Sequence, residues 1–333
     1  MLRSMYSGVS GMKGNQTKLD VIANNIANVS TTSFKSSKVN FSDTLYQSSA
    51  TATAPTTSIG GTNSKSIGLG TKVSSINKLM TKGNELSTGR ALDVCIDGDG
   101  YLIAAKGKVT GSIALTAGTS GGANDTVSTA TDIDDKVYTR DGNLTLDENG
   151  NLLTSNGYRV MGYWASSSAV TRDANGNAVI AARVDPDSTA FTAYDTSLKP
   201  LVIPDKVNGN AVQSFDIGSN GVITATTSEG KCVLGQIAMA SFKNPEGLKD
   251  LGGNFEQESG NSGTAMISTD AKNTTTSNSS AYGAVSQGYL EASNVDLTEQ
   301  FTDMISATRA FQASSKMISN GDEILQTITG LIR

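Results

Sequence analysis

Both ends of this chain carry a heptad stripe, and nothing between them repeats it. From Leu2, residues Met5, Val9, Met12, Gln16, Leu19, Ala23 and Ile26 follow at alternating steps of three and four, an apolar seam broken only at Gln16. At the other end Leu297, Met304, Phe311, Ile318, Leu325 and Ile332 recur every seventh residue, and Phe301 and Ile305 widen the stripe. Such spacing lines one face of a helix that packs against another helix. It predicts an N-terminal helix of about 27 residues, roughly 40 Å long at ~1.5 Å per residue, and a longer C-terminal one. Asn294 or Asp296 caps the second helix, with Glu299 three residues after Asp296 in capping-box position.

The first helix also holds Gly8, Gly11 and Gly14, and a glycine in a helix interior costs about 1 kcal/mol relative to alanine. A seam that needs a partner, on a backbone that resists folding alone, describes a segment ordered by packing. The plainer alternative is two amphipathic helices of an ordinary core, but the middle of the chain has no helical periodicity for them to join. The tract that follows the first stripe, with Asn24, Asn25, Asn28, Ser30, Thr31 and Thr32, has two readings. Its side chains either compete for backbone hydrogen bonds and stop the helix, or the amides are buried donors and acceptors between packed neighbours.

A length of 333 residues suggests about two domains. Aromatics at 5% and charges at 17%, with abundant small polar residues, favour thin β layers and many turns. A formal charge of −5 argues against a nucleic-acid partner. The chain has no histidine, so it lacks the commonest metal ligand and neutral-pH base. Cys95 and Cys232 stand far apart with no other soft ligands near, and read as two half-buried thiols, the alternative being a disulfide or another covalent cross-link. No apolar run is long enough for a membrane helix or a cleavable signal peptide, so neither membrane insertion nor that route of secretion is expected.

Residues 48 to 66 are Ser, Thr, Ala and Gly with one proline, a linker or a draped surface segment. β signals follow. "ALDVCIDGDGYLIAA" places Leu92, Val94 and Ile96 on one face with a tight turn at Asp97 to Gly100. In "YTRDGNLTLDENGNLLTSNGYRVMGY", Asp141-Gly142, Asn149-Gly150 and Asn156-Gly157 are hairpin-type turns between short strands, an antiparallel meander. Residues 108–135 and 166–200 read as protruding insertions, and 256–283 as a further polar tract. The expected division is 1–32 with 290–333 as a terminal helical domain and 33–70 as a linker. A main β domain takes 71–165 with 201–289, and 166–200 is a short outer insertion.

No motif carries chemistry. "DENGN" and "DANGN" fail the EF-hand spacing, because aligning Gly150 or Gly176 leaves Thr145 or Thr171 at the first ligand position and Asn156 or Ala182 at the last. "GGTNSKSIGLGTK" lacks the lysine placement of a phosphate loop. A lone Trp164 offers no sugar-stacking platform. The expectation is a protein without catalytic residues, metal or cofactor.

"MLRSMYSGVSGM", "TKLDVIANNIANVSTTSFKSS" and "GYLEASNVDLTEQFTDMISATRAFQASSKMI" resemble the N- and C-terminal signatures of the bacterial flagellar rod and hook family. "GLGTKV", "TGRALDV" and the meander resemble its β domain. The resemblance covers most of the chain outside the two insertions. It implies an α+β fold in which terminal helices pair as a coiled-coil-like inner-tube domain, with a central antiparallel β domain and at most a much reduced outer β domain. It also implies an assembly interface along Leu2, Met5, Val9, Met12, Leu19, Ile26, Leu297, Phe301, Met304, Phe311, Ile318, Leu325 and Ile332. Asn24, Asn25, Asn28 and Phe34 match the family motif. "FSDTL", through Phe41 and Leu45, resembles the element such substrates show to the flagellar type III export apparatus; the other reading is a simple packing pair.

The implied function is a hollow, torque-transmitting helical homopolymer in the flagellum, exported without a cleavable signal. Its neighbours would be the adjacent rod and hook-filament junction proteins and the hook cap. The start and "LEASNVDL" are most like the hook branch. The short 166–200 segment leaves the distal rod as the alternative, and a secreted monomeric β-rich adhesin is the more distant one.

Overall fold

Asp296 marks where the last helix begins. In the computed structural model its Oδ1 accepts the backbone N–H groups of Thr298 at 2.7 Å and Glu299 at 3.4 Å, satisfying two of the donors a helix start leaves open. Helix α1 spans Leu2–Ala27 and α2 spans Leu297–Leu331. The structure describes residues 2–55, 57, 60–116, 125–164, 170–172, 178–180, 197–267 and 282–331. The chain divides into two units, one of Met1–Ser30, Lys35–Leu79 and Val295–Arg333, the other of Thr31–Phe34 and Met80–Asn294.

In the first unit α1 and α2 pack against each other, joined by strands β1 (Ser37–Asp43), β2 (Tyr46–Ala50), β3 (Lys65–Gly68) and β4 (Thr71–Lys78). β1 pairs antiparallel with β4 from Ser37–Lys78 to Asp43–Thr71, with an irregularity at Asn40/Phe41. β2 and β3 form a separate ribbon, continued by an isolated bridge between Thr53 and Thr62. Within the stretch 33–70, expected as a linker, Ser37–Asp43, Tyr46–Ala50 and Lys65–Gly68 are thus paired strand. Its polar residues need no core, because ladder hydrogen bonds satisfy the backbone and the ribbon's side chains lie in solvent. The turn from β3 to β4 rests on α1: Gly70 has φ +122°, a Cβ there would collide with Ser10 Oγ, and Ser10 Oγ accepts the Thr71 N–H at 3.3 Å.

The second unit is a β structure, antiparallel among the described residues apart from a single parallel bridge between Ile180 and Val207. Its strands include β5 (Glu85–Ser87), β6 (Val94–Asp97), β7 (Tyr101–Thr116), β8 (Asp125–Thr139), β9 (Leu144–Leu146), β10 (Leu152–Thr154) and β11 (Arg159–Trp164). β9, β10 and β11 form the expected meander, with positive φ at Gly150 and Gly157. Neither of the two other turns joins neighbouring strands as a hairpin. β6 pairs with Ala284–Gln287 and not with β7, so Asp97–Gly100 is a corner. Asp141-Gly142 is a crossing point: a Cβ on Gly142 would collide with the Val94 carbonyl.

The 108–135 stretch, expected to protrude as an insertion, extends β7 and β8 into one long antiparallel hairpin, with Ile113 fully buried. Residues 117–124 lie outside the described residues. Most of 166–200 does too; there Val170–Arg172 pairs with Ala178–Ile180, and Ser197–Leu198 with β7. β7 is covered on both faces, since Leu102 joins one apolar cluster while Tyr101 and Ile103 join another. In the second cluster the rings of Tyr138 and Phe242 meet edge to face at 4.8 Å. The core is therefore thicker than the composition suggested, built from Val, Ile, Leu and Ala more than from aromatics.

Cys95 and Cys232, expected to be half-buried, are fully buried thiols, and the Cys232 thiol donates to the Ala225 carbonyl at 3.4 Å. The "DENGN" turn is held by its own aspartate: Asp147 Oδ1 accepts from Asn149 N at 3.0 Å and Asn151 N at 2.7 Å, and Oδ2 from Asn151 Nδ2 at 2.6 Å. "DANGN" lies outside the described residues. Trp164 donates its indole N–H to the Pro200 carbonyl at 2.9 Å.

Candidate functional site

The helix pair is antiparallel, and it is built on small residues. A Cβ on Gly8 would lie 3.3 Å from Ile318 Cγ1, one on Gly11 3.2 Å from Ser314 Oγ, and one on Gly321 3.0 Å from Met5 Cγ. Gly14 faces β1, where a Cβ would lie 2.9 Å from the Phe41 ring. The glycines that weaken α1 as an isolated helix are therefore contact points that let large side chains of the partner close in. On α2, small residues Ala307, Ser314 and Gly321 alternate with Met304, Phe311, Ile318 and Leu325 on the inner face. Alternation of small and large side chains is what lets facing layers interlock.

The other end of the pair is pinned by polar groups. Asn25, 1% exposed, donates from Nδ2 to the Ser37 carbonyl at 2.9 Å and to Gln300 Oε1 at 3.0 Å, and its Oδ1 accepts the Ser37 N–H at 3.0 Å. One side chain thereby ties α1 to both β1 and the first turn of α2. Burying an amide is tolerated only when it is bonded in this way. Lys18 and Asp303 add a half-exposed ion pair at 3.2 Å, of a kind worth about 0.5 kcal/mol. Asn24 and Asn28 do the other job: Asn28 donates both its N–H, at 3.1 Å, and its Nδ2, at 2.9 Å, to the Asn24 carbonyl and ends the helix. Both readings of the amide tract hold, each for different residues.

Most of the predicted seam is half-buried, and a few of its positions stay open to solvent. On α1, Met5, Val9, Met12, Leu19 and Ile26 are half-buried, but Gln16 and Ala23 face solvent, and Ile22 and Asn25 take the deepest positions. On α2, Met304, Phe311, Ile318 and Leu325 turn inward, whereas Leu297, Phe301 and Ile305 are exposed. Leu297 and Phe301, read as pairing residues, stay 39% and 50% exposed. The reason is that Gly8 and Gly11, not the larger apolar residues, define the line of closest approach. The side chain of Leu2 and all of Ile332 lie outside the described residues. Phe34 is half-buried, Phe41 lies over Gly14 and Leu45 is 80% exposed. Sequence reading missed Ile22, Gln300, Ala307 and Ser314; the small residues seven apart at 307, 314 and 321 were the available signal.

After the pair has formed, apolar side chains on α2 remain uncovered. Met317, Ile324 and Leu331, seven residues apart, form one row with 55%, 50% and 81% of their surface exposed. Phe301 and Ile305 form a second, on the other flank.

Three family models match in the same order as these elements. "Flagella basal body rod protein" matches residues 5–35, covering most of α1 and the turn after it. "Flagellar hook protein FlgE/F/G D1 domain" matches residues 127–225, and "Flagellar basal body rod FlgEFG protein C-terminal" matches 286–331. The flagellar basal-body rod protein FlgG of Bacillus subtilis is 39% identical over 334 residues, covering 100% of both chains.

The chain belongs to the bacterial flagellar rod and hook family.

Another relative, the flagellar hook protein FlgE of Borreliella burgdorferi, is 28% identical over 449 residues, covering 99% of this chain and 100% of its own. The solved hook protein FlgE2 of Helicobacter pylori overlays 62% of this chain and 100% of its own with a TM-score of 0.39 at 10% identity. Rod and hook proteins are structural components of the flagellum, and the two helices and the β unit lie where the family models match. Among the described residues no helix is long and apolar enough to cross a membrane.

Proposed function

We propose that the chain is a subunit of the flagellar hook, polymerising into a hollow tube that joins rod to filament and transmits torque. The observation that carries this reading is the pair of uncovered apolar rows on α2. A row of three large side chains on one helix is unfavourable in water and is relieved when another copy covers it. The rows lie on different flanks of α2 from the α1 contact, so a copy covering one leaves the other open. Contacts of that kind are heterologous and propagate into filaments.

The predicted seam and these rows together form the assembly interface, with residues 1–32 and 290–333 as the inner-tube domain. Its neighbours are the adjacent rod and hook-filament junction proteins and the hook cap. Delivery is through the flagellar type III export apparatus to the cell exterior, with Phe41 and Leu45 as the export element, read while the chain is unfolded.

Bending requires contacts that exchange while the helices hold, and the long β7–β8 hairpin supplies surface for them. The 39% identity to a rod protein favours a second reading, a rigid distal rod. Electron microscopy of purified protein assembled at high concentration decides: curved, flexible tubes mean hook and short straight ones mean rod. A chain that stays monomeric at every concentration, and whose behaviour is unchanged on deletion of residues 1–30, removes both readings in favour of a monomeric binding protein.

A further inference from the structure

Five Asn-Gly steps lie within the described residues: Asn149-Gly150, Asn156-Gly157, Asn208-Gly209, Asn220-Gly221 and Asn320-Gly321. An asparagine followed by glycine can modify itself, because the glycine nitrogen reaches the side-chain amide carbon with no Cβ in the way. That nitrogen has to give up its proton, so a glycine N–H held in a hydrogen bond reacts slowly. Four of the five are held. Gly150 donates to the Asp147 carbonyl at 3.0 Å, Gly157 to the Thr154 carbonyl at 2.9 Å and Gly221 to the Gly218 carbonyl at 2.8 Å. Gly321 lies inside α2, where the helical ladder takes its N–H. Two of the asparagines are engaged as well: Asn156 Nδ2 donates to the Gly253 carbonyl at 3.0 Å, and Asn220 Oδ1 accepts the Val222 N–H at 3.1 Å.

Asn208-Gly209 differs. It is the two-residue turn between Lys206–Val207 and Asn210–Ile217, with Val207 facing Asn210. Its φ values are +49° at Asn208 and +82° at Gly209, the pair of positive angles that a tight hairpin demands and Asn-Gly supplies. Both residues are exposed, and a Cβ on Gly209 would meet nothing within 4 Å. Among the described residues neither the Gly209 N–H nor the Asn208 amide has a hydrogen-bond partner.

We propose that Asn208 is a self-modification site, converted to isoaspartate and aspartate through its own neighbour. The Gly209 nitrogen bonds to Asn208 Cγ, the Cγ–Nδ2 bond breaks, and ammonia leaves with the backbone proton. Water then opens the succinimide ring. Attack at the backbone carbonyl gives isoaspartate, in which the chain runs through the former side chain, and attack at Cγ gives aspartate. Either product adds a negative charge to this hairpin tip. Isoaspartate also lengthens the turn by one backbone carbon, which takes the buried Val207 out of register with Asn210. The site belongs to the β unit alone and is independent of tube formation.

The test is peptide mass spectrometry on the full-length protein aged in mildly alkaline buffer, once folded and once in guanidinium chloride. One backbone hydrogen bond lowers the free fraction of an N–H by a factor of about 3 to 10. Deamidation at Asn208 in the folded protein should therefore run at least about threefold faster than at Asn149, Asn156, Asn220 or Asn320. In guanidinium chloride every glycine N–H is released, and the five rates should draw together. A smaller lead over any of the other four overturns the proposal. So does a lead that survives unfolding, which assigns the difference to neighbouring side chains and not to the turn.

Discussion

Met5 seats directly over Gly321, close enough that a methyl group on the glycine would lie 3.0 Å from Met5 Cγ. Ile318 seats over Gly8 in the reverse sense at 3.3 Å. Each helix thus supplies a large side chain where the other supplies none, and the contact has a direction and a register. Heptad counting alone specifies neither.

Gly321→Leu should separate the far half of the pair. Overfilling a packed site costs about 1–3 kcal/mol, which exceeds the roughly 1 kcal/mol that replacing a helical glycine returns. Gly330→Ala is the control, because a Cβ there meets nothing within 4 Å. Hydrogen exchange should show loss of protection in α1 for Gly321→Leu and none for Gly330→Ala.

Two charges placed on α2 should separate pairing from polymerisation. Phe311→Asp buries a carboxylate in the pair and should unzip α1 in the isolated chain as well as block assembly. Met317→Asp lies on the uncovered row and should leave the isolated chain's helix content and exchange unchanged while abolishing tubes. Circular dichroism, hydrogen exchange and electron microscopy read the two effects, and normal tubes from Met317→Asp would remove that row from the interface.

Arg140→Met leaves Glu291 buried without its cation. Breaking a buried pair by removing one partner costs about 3–5 kcal/mol, so the β unit's urea midpoint should fall sharply, and more than for Arg140→Met combined with Glu291→Gln.

Alkaline pH should weaken the β unit partly through Cys95. Burial, helped by the Glu291 and Glu85 carboxylates, pushes its thiol from 9.0 up to about 11, against the opposing pull of Lys82 and Arg140. The folded chain therefore holds this proton at a pH where the unfolded chain has released it. The contribution to stability is complete below pH 9 and is lost as pH rises toward about 11. Burial pushes Tyr101, Tyr138 and Tyr282 in the same direction. Urea midpoints should fall over that window, less steeply in Cys95→Ala.

The helices, their lengths and the Asp296 start were legible because periodicity and capping are local signals. The face each helix presents was not. Gly8 and Gly11 were counted by propensity, which sees their cost and not the approach they permit, and Phe301 was placed inward because an apolar residue beside a seam looks like part of it. The meander was legible from Asn149-Gly150 and Asn156-Gly157, but Asp141-Gly142 has the same chemistry and joins no hairpin. The partner of β6 lies far off in sequence. Residues 33–70 read as linker because their side chains are polar, yet β pairing is a backbone property.

Toward its Met5 end, the contact between α1 and α2 owes its closeness to missing atoms and not to opposite charges. Ions in the surroundings have nothing there to screen. The grip near Gly8, Gly11 and Gly321 should stay constant from dilute buffer to brine, so a motile cell that swims between the two would need no separate means of holding this joint together.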